Sequence, residues 1–289
     1  MHFSQLFART VSRLEEAGIE SAEQEALLLF EYSFGLSRAE LILHGDRCPG
    51  TEEAERFEKF LRRRLAREPL AYLTGSREFW SLPFVVSPAV LVPRPETEFV
   101  LETALRIIRS AGYQGGPILD LCTGSGAIAV VLARELGFGQ VIGVDVSFEA
   151  LQVAATNVSR FALSDRISLV CADLFTAFAP EGRFEVIVSN PPYVAAEEIS
   201  ELEPEVRDWE PRFALSGGKG GLEVIRRIID EAWRFLHPSG WLFMEIGAGQ
   251  EQEVCAMCAA AGAYVDVEVL PDWAGRPRLL RARKRRANG

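Results

Sequence analysis

The chain has 289 residues, 48% of them hydrophobic, enough to bury one large core or two unequal ones. Its 41 acidic and 31 basic side chains leave a formal net charge of −10, which argues against an affinity built on neutralising phosphates and so against free DNA as a partner. The start Met1-His2-Phe3-Ser4-Gln5-Leu6 has no basic stretch followed by an apolar core, and no apolar run is long enough to span a bilayer, so a cytoplasmic protein with no membrane partner is expected.

Residues 1–74 show helical spacing and no strand pattern. Phe3, Leu6, Phe7, Val11 and Leu14 share one helical face, and Gly18 stops that helix. Ser21 with Gln24 predicts a capping box before a helix that turns Ala26, Leu27 and Phe30 inward, and Ser37 with Glu40 opens a third helix. After Pro49-Gly50, Thr51 starts a charged amphipathic helix through Phe57, Phe60, Leu61 and Leu65 that ends before Pro69. Its run Arg62-Arg63-Arg64 is expected to be a solvated face. These helices make a small N-terminal domain. Residues 75–94 read as a linker with a β-hairpin, from the extended runs Glu78-Phe79-Trp80, Phe84-Val85-Val86 and Val90-Leu91-Val92.

Residues 95–289 form the third region. Pro93-Arg94-Pro95-Glu96-Thr97-Glu98 leads into a helix through Val100, Leu101, Leu105 and Ile108, with Pro95 in its first turn. Strand and helix then alternate strictly, which predicts an α/β fold of Rossmann-like type, with a mostly parallel sheet covered by helices on both faces. Strand 118–121 is followed by the glycine loop Cys122-Thr123-Gly124-Ser125-Gly126 and a helix over 127–136. Strand 141–145 ends on Asp145, and strand 167–170 is followed by Asp173. The apolar run 184–188 ends in Ser189-Asn190-Pro191-Pro192-Tyr193. Beyond it come a glycine-rich stretch 217–221, a helix over 222–236, and extended runs at 241–246, 264–270 and 278–282, with the basic tail 281–286 expected to fray. The five cysteines are odd in number and scattered, as reduced thiols are. Cys255-x-x-Cys258 has no second Cys/His pair and falls in an alanine-rich helix, so no metal is expected.

A glycine loop between a first strand and first helix lets a ligand approach the backbone closely. Thr-Gly-Ser-Gly-Ala is not the Gly-x-Gly-x-x-Gly that accommodates a pyrophosphate, so a dinucleotide is disfavoured. Asp145 lies about twenty residues beyond the loop, where a carboxylate can accept from both hydroxyls of a ribose. Asp120 is positioned under the loop, and Asp173 could meet an adenine amino group. Pro191 and Pro192 stiffen the loop after the fourth strand, where the Asn190 side-chain oxygen and the Pro191 carbonyl can accept the two hydrogens of a planar –NH2 group while the Tyr193 ring offers a stacking face. A nucleoside carrying a reactive group beside an amide receptor suggests S-adenosyl-L-methionine and methyl transfer.

With these motifs the chain resembles the HemK/PrmC family, protein-(glutamine-N5) methyltransferases that modify the glutamine of the Gly-Gly-Gln motif in class-1 peptide chain release factors and so support translation termination. The resemblance covers nearly the whole chain. It rests on Glu68-Pro69-Leu70-Ala71-Tyr72, Leu91-Val92-Pro93-Arg94-Pro95-Glu96-Thr97-Glu98, residues 120–126, Asn190-Pro191-Pro192-Tyr193, and Trp209-Glu210-Pro211 with Ala214-Leu215. The Asn-Pro-Pro-Tyr loop alone is shared with adenine-N6 methyltransferases; the Pro-Arg-Pro-Glu-Thr-Glu segment separates the families. The resemblance implies a class I methyltransferase domain, a release factor that the N-terminal helical domain helps to dock, and a catalytic loop of Asn190, Pro191 and Tyr193 that binds substrate together with Pro192. It further implies that Cys122, Thr123, Gly124, Ser125 and Gly126 wrap the methionine part of the cofactor, with Asp120, Asp145, Asp173, Leu174 and Asn190 completing that site. Cys122 stands where many relatives have glycine, a change expected to cost little. Leu174 stands where some relatives place a tryptophan against adenine, so apolar packing would take its place. The rival reading is a binding module that uses the nucleoside pocket only as a sensor. The sequence does not set an oligomeric state, and a monomer is the default expectation.

Overall fold

The computed structural model describes residues 1–286 and divides the chain into two compact units, one of residues 1–75 with 203–209 and one of residues 76–202 with 210 onward. The first unit holds helices α1 (Phe3–Glu16), α2 (Ala22–Phe34), α3 (Arg38–His44), α4 (Thr51–Leu65) and α5 (Leu70–Thr74). Its core gathers the inward positions of α1, α2 and α4, with Leu14, Ala26, Leu29, Phe30, Phe57 and Leu61 buried. The Phe30 ring meets Phe3, Phe7, Phe34 and Phe57 edge-on, at centroid distances of 6.3, 5.3, 5.3 and 5.1 Å. Ser37 and Glu40 form the expected reciprocal cap, whereas Ser21 makes no side-chain cap bond.

The expectation of a solvated Arg62-Arg63-Arg64 face is corrected at Arg64, which is buried at the i+3 position after Leu61. Its guanidinium donates to both Glu25 oxygens and to Glu205, and Arg67 donates to the second oxygen of Glu205 at 2.7 Å. A buried guanidinium is tolerable when carboxylates meet it on several sides, as they do here.

The second unit opens with a hairpin, β1 (Ser76–Phe79) and β2 (Leu82–Val85), paired antiparallel. Phe79 and Phe84 belong to the unit's core, and buried Asn157 accepts from Val85 N–H and donates to the carbonyls of Val85 and Ser125. The hairpin is thereby built into the second unit. The run Val90-Leu91-Val92, expected to be extended, forms no strand. After α6 (Pro95–Ser110) come β3 (Ile118–Leu121), α7 (Ala127–Leu136), β4 (Val141–Asp145), α8 (Phe148–Arg160), β5 (Ile167–Cys171) and β6 (Phe184–Ser189). The short helices α9 (Pro204–Arg207), which belongs to the first unit, and α10 (Arg212–Leu215) precede α11 (Glu223–Phe235), β7 (Leu236–Glu245), α12 (Glu251–Ala261), β8 (Tyr264–Pro271) and β9 (Pro277–Lys284). Arg281 to Lys284, expected to fray, are paired in β9, between β7 and β8.

The seven strands lie in the order β5-β4-β3-β6-β7-β9-β8, with only β9 running against the rest. Alternation along each strand sorts the core to two faces. Ile118, Val186, Val188 and Phe243 pack with α6, α7 and α8, while Leu119, Leu121, Ile187, Leu242 and Met244 pack with α11 and α12. β3 pairs with β4 on one side and β6 on the other, so the chain reverses its direction across the sheet at this point. A crevice opens outside the carboxyl ends of strands at such a reversal.

Candidate active site

A cavity of about 360 Å³ occupies that crevice, lined by the loop after β3, the ends of β4 and β6, and residues of α10 and α11. Its floor is the glycine loop. Gly124 has φ +54°, and a Cβ placed on it would meet no protein atom within 4 Å; a side chain there would fill the space above the loop, which leaves room for a ligand against the backbone. Cys122 also sits in the left-handed region, at φ +59°. The expectation of little cost is therefore corrected: a non-glycine residue there carries strain on the order of 1 kcal/mol that glycine would not.

Asp145 lines the cavity at the end of β4, with only 7% of its surface exposed. Its Oδ2 accepts from Gly124 N–H and its Oδ1 from Ser147 N–H, both at 2.9 Å. These bonds lock the carboxylate in place, and each oxygen keeps lone pairs for further donors. Burial pushes the Asp145 carboxyl up, against the backbone N–H groups of Ser147, Gly124 and Val146. Asp120 does not line the cavity. It lies wholly buried beneath the loop, where Oδ2 accepts from the Thr123 hydroxyl at 2.6 Å and from Ala129 N–H at 3.1 Å, and Oδ1 has no partner. Burial pushes its carboxyl up to about 7. Asp173 lines the cavity beside Leu174, and its Oδ2 accepts from Arg227 of α11 at 2.9 Å. The neighbouring wall is aliphatic, from Val146, Ala172 and buried Leu174.

The Asn-Pro-Pro-Tyr loop continues β6 directly. Ser189 donates its hydroxyl to the Leu121 carbonyl at 3.0 Å, Val194 pairs with Leu215 and Gly217, and Gln250 donates to the Tyr193 carbonyl at 3.0 Å. Gly217 and Gly221 allow a close backbone approach. A Cβ on Gly221 would stand 2.0 Å from the Tyr193 carbonyl oxygen, and one on Gly217 2.6 Å from that of Pro192. Asn190 and Pro192 line the cavity; Tyr193 does not, and the aromatic residues on the wall are buried Phe79 and Phe213, the latter 49% exposed.

Behind Asn190 lies a chain of hydrogen bonds that the sequence reading missed. The Asn190 amide nitrogen donates to the Thr97 hydroxyl at 3.1 Å, Thr97 donates to Glu245 Oε2 at 2.6 Å, and the Tyr193 hydroxyl donates to Glu245 Oε1 at 3.1 Å. No donor among the described residues meets Asn190 Oδ1 or the Pro191 carbonyl. Burial pushes the carboxyl of wholly buried Glu245 up, opposed by the Thr97 hydroxyl and the charge of Arg278. Two signals pointed to this pair: a carboxylate inside an otherwise apolar strand, and a threonine in the Pro-Arg-Pro-Glu-Thr-Glu segment.

The cradle above Gly124, the fixed Asp145 carboxylate and the aliphatic wall together fit a nucleoside cofactor with an uncharged ribose. Among the described residues no group of three or more His, Cys, Asp or Glu could hold a metal ion, and no helix is long and apolar enough to cross a membrane.

Residues 5–75 match the family model described as the PrmC N-terminal domain, and residues 97–203 match that of the methyltransferase small domain. A release factor glutamine methyltransferase of Koribacter versatilis is 38% identical over 285 residues, covering 98% of this chain and 99% of its own. Its counterpart from Cereibacter sphaeroides is 43% identical over 273 residues, covering 94% and 95%. Among solved structures, a methyltransferase from Pyrococcus furiosus matches with a TM-score of 0.53 at 19% identity over 80% of this chain and 99% of its own. The T. Thermophilus 16S rRNA N2 G1207 methyltransferase, in complex with AdoMet and guanosine, matches with a TM-score of 0.52 at 21% identity, over 73% and 50%. Both show the class I methyltransferase fold.

Proposed function

The chain belongs to the family of release factor glutamine methyltransferases, and from that membership we propose that it methylates the side-chain amide N5 of the glutamine in the Gly-Gly-Gln motif of class-1 peptide chain release factors. It is an enzyme, and its methyl donor is S-adenosyl-L-methionine. The observation that carries the acceptor assignment is the pair of unengaged acceptors on consecutive residues: Oδ1 of Asn190, which lines the cofactor cavity, and the carbonyl of Pro191, which follows it in the chain and does not itself line the cavity. They match the two N–H bonds of a primary amide.

S-adenosyl-L-methionine supplies an electrophilic methyl on a sulfonium sulfur. The protein's part is positioning. Asp145 holds the ribose hydroxyls, residues 122–126 cradle the methionine portion, and Asp173 with Leu174 borders the adenine. An amide nitrogen is a poor nucleophile because its lone pair is delocalised into the carbonyl. Asn190 and Pro191 accept both N–H bonds and fix the amide plane, so that the lone pair is the face of the nitrogen left free to react. The nitrogen–carbon bond forms as the carbon–sulfur bond breaks, giving S-adenosylhomocysteine, and the nitrogen releases one proton to solvent. Positioning of this kind can supply roughly 7–11 kcal/mol of barrier lowering. Tyr193 acts through Glu245 to steady the loop, and Phe213 offers the aromatic cover.

The first unit docks the release factor in this reading, the protein acts as a monomer in the cytoplasm, and free DNA is not a substrate. Net charge supports the last point, since a duplex-tracking enzyme needs several phosphate contacts from lysine and arginine. The test offers labelled S-adenosyl-L-methionine with intact release factor, with a Gln→Ala version at the Gly-Gly-Gln site, and with duplex DNA. Label on intact factor alone is expected. Label on DNA or on the alanine version, with none on intact factor, overturns the assignment, and no label on any of the three favours the sensor.

A further inference from the structure

A primary amide has nearly the same shape whichever way it is turned, so an asparagine can present either its oxygen or its nitrogen to a ligand. At Asn190 the choice is made elsewhere. Burial opposes ionisation of Glu245, while the Thr97 and Tyr193 hydroxyls and the charge of Arg278 favour it; with both of its oxygens receiving those hydroxyls, the ionised carboxylate can only accept. The Thr97 hydroxyl has a single hydrogen and gives it to Glu245 Oε2 at 2.6 Å, so toward Asn190 it can only accept as well. The group that meets Thr97 at 3.1 Å must then be the Asn190 nitrogen. Turning the amide over would set its oxygen against a hydroxyl oxygen with no hydrogen between them. Tyr193, the other donor to Glu245, leaves Thr97 no alternative partner on Oε1.

We infer that Glu245 and Thr97 are specificity-determining positioning residues: they hold Asn190 with its oxygen outward, which makes the receptor accept hydrogen bonds only and so take a glutamine amide while rejecting the carboxylate of glutamate. Thr97 borders the cavity but has its one hydroxyl hydrogen committed to Glu245, which does not line it; Glu245 acts through Thr97, and Thr97 through Asn190. A glutamate side chain of the same length would bring two further acceptors against Asn190 Oδ1 and the Pro191 carbonyl, leaving buried polar groups unpaired on both sides. The inference rests on the glutamine reading of the site.

The experiment compares the affinity of the intact enzyme, with S-adenosylhomocysteine bound, for a class-1 release factor and for its Gln→Glu version at the Gly-Gly-Gln site. Thr97→Val keeps the shape and removes both the donor and the acceptor. It is expected to narrow the preference for glutamine by about tenfold or more, because the freed Asn190 amide can turn its nitrogen toward the carboxylate. Thr97→Ser keeps the hydroxyl and should keep the preference. Glu245→Gln should narrow it too, since its amide can offer Thr97 either an oxygen or a nitrogen. The double variant should narrow it no further than Thr97→Val alone, because both act through one hydrogen-bond chain. A second readout needs no acceptor: in 15N-labelled enzyme the Asn190 side-chain amide should exchange slowly in the unsubstituted protein and rapidly in Thr97→Val. Melting temperature and cofactor affinity identify a variant that has lost its fold. An unchanged preference in a folded Thr97→Val enzyme, or a Thr97→Ser enzyme as indiscriminate as Thr97→Val, overturns the inference. If the unsubstituted enzyme does not methylate the glutamine factor, the acceptor reading falls, and amide exchange still decides the orientation of Asn190.

Discussion

Arg94 and Glu210, 116 residues apart in the chain, are joined by a guanidinium nitrogen that meets both carboxylate oxygens, at 2.7 and 2.8 Å. The pair fastens the Pro-Arg-Pro entry of α6 to the Trp-Glu-Pro segment before α10. Burial pushes the Glu210 carboxyl up, and the Arg94 charge opposes it. Arg94→Ala strands a buried carboxylate, for an expected loss of about 2–3 kcal/mol, less than for a fully buried pair because Arg94 is 31% exposed. Arg94→Ala with Glu210→Leu should regain most of it. Urea melts of the two variants decide the matter, and a single variant as stable as the parent would refute the role given to this ion pair.

Asp145→Ala and Asn190→Ala should separate cofactor from acceptor. The first removes a carboxylate that two backbone N–H groups hold against the cavity, and cofactor affinity should drop by roughly 1.5–3 kcal/mol, the range for hydrogen bonds to a charged group. The second should leave that affinity within a factor of about two while kcat/KM on release factor falls roughly 100-fold. Calorimetry and steady-state rates on both proteins check the contrast. Identical phenotypes would mean that the two residues serve one site.

Gly221 and Gly220 share a left-handed backbone, at φ +72° and +62°, but differ in their surroundings. A Cβ on Gly221 would stand 2.0 Å from the Tyr193 carbonyl, whereas one on Gly220 meets nothing within 4 Å. Both alanine variants carry about 1 kcal/mol of backbone strain, yet Gly221→Ala must also displace the Asn-Pro-Pro-Tyr loop. It should therefore lose methyl transfer and keep cofactor binding, while Gly220→Ala keeps both. Equal turnover by the two would show that the close approach of Gly221 to the Tyr193 carbonyl does not hold the loop in place.

Asp120 adds a pH dependence with a definite sign. Its carboxyl is raised from 3.8 to about 7, chiefly by burial. Below about 4 it is protonated in both folded and unfolded chains, and above about 7 it is charged in both. Between those limits the folded chain keeps a proton that the unfolded chain has released, so this group's contribution to stability falls as pH rises across the window. Asp120→Asn can still accept from Thr123 and Ala129 and has no proton to lose. Denaturation of the cofactor-free protein at pH 4.5 and pH 7.5 should show the parent losing more stability than the variant over that interval; parallel pH profiles would contradict a raised Asp120.

Much of the site could be read along the chain because its parts are local. The glycine loop, Asp145 and the Asn-Pro-Pro-Tyr turn each follow a strand directly, and strand periodicity marks where strands end. Thr97 and Glu245 meet across 148 residues, and only the packing of α6 over the end of β7 brings them together, which no local period records. The same limit explains Arg64: a helical pattern gives its face but not the acidic partners that make burial tolerable. A ring beside an amide receptor can serve as a stacking face, and the sequence offers Tyr193 in that role; in the fold its hydroxyl is held by the buried Glu245 carboxyl, a partner 52 residues away that no local pattern records. Ser21 shows that a capping sequence is an opportunity rather than an outcome.

The contact of Arg64 and Arg67 with Glu205 bears on how this enzyme could be recombined with its relatives. Glu205 comes late in the chain, yet residues 203–209 belong to the first unit. A chimera that exchanges only residues 1–75 would inherit two arginines shaped for a carboxylate on a segment left behind, or a carboxylate facing strangers. The exchangeable module is discontinuous: moving the first unit intact between members of the family requires moving 1–75 and 203–209 as one piece, and crossover libraries cut at residue 75 alone should be enriched in chains that express poorly.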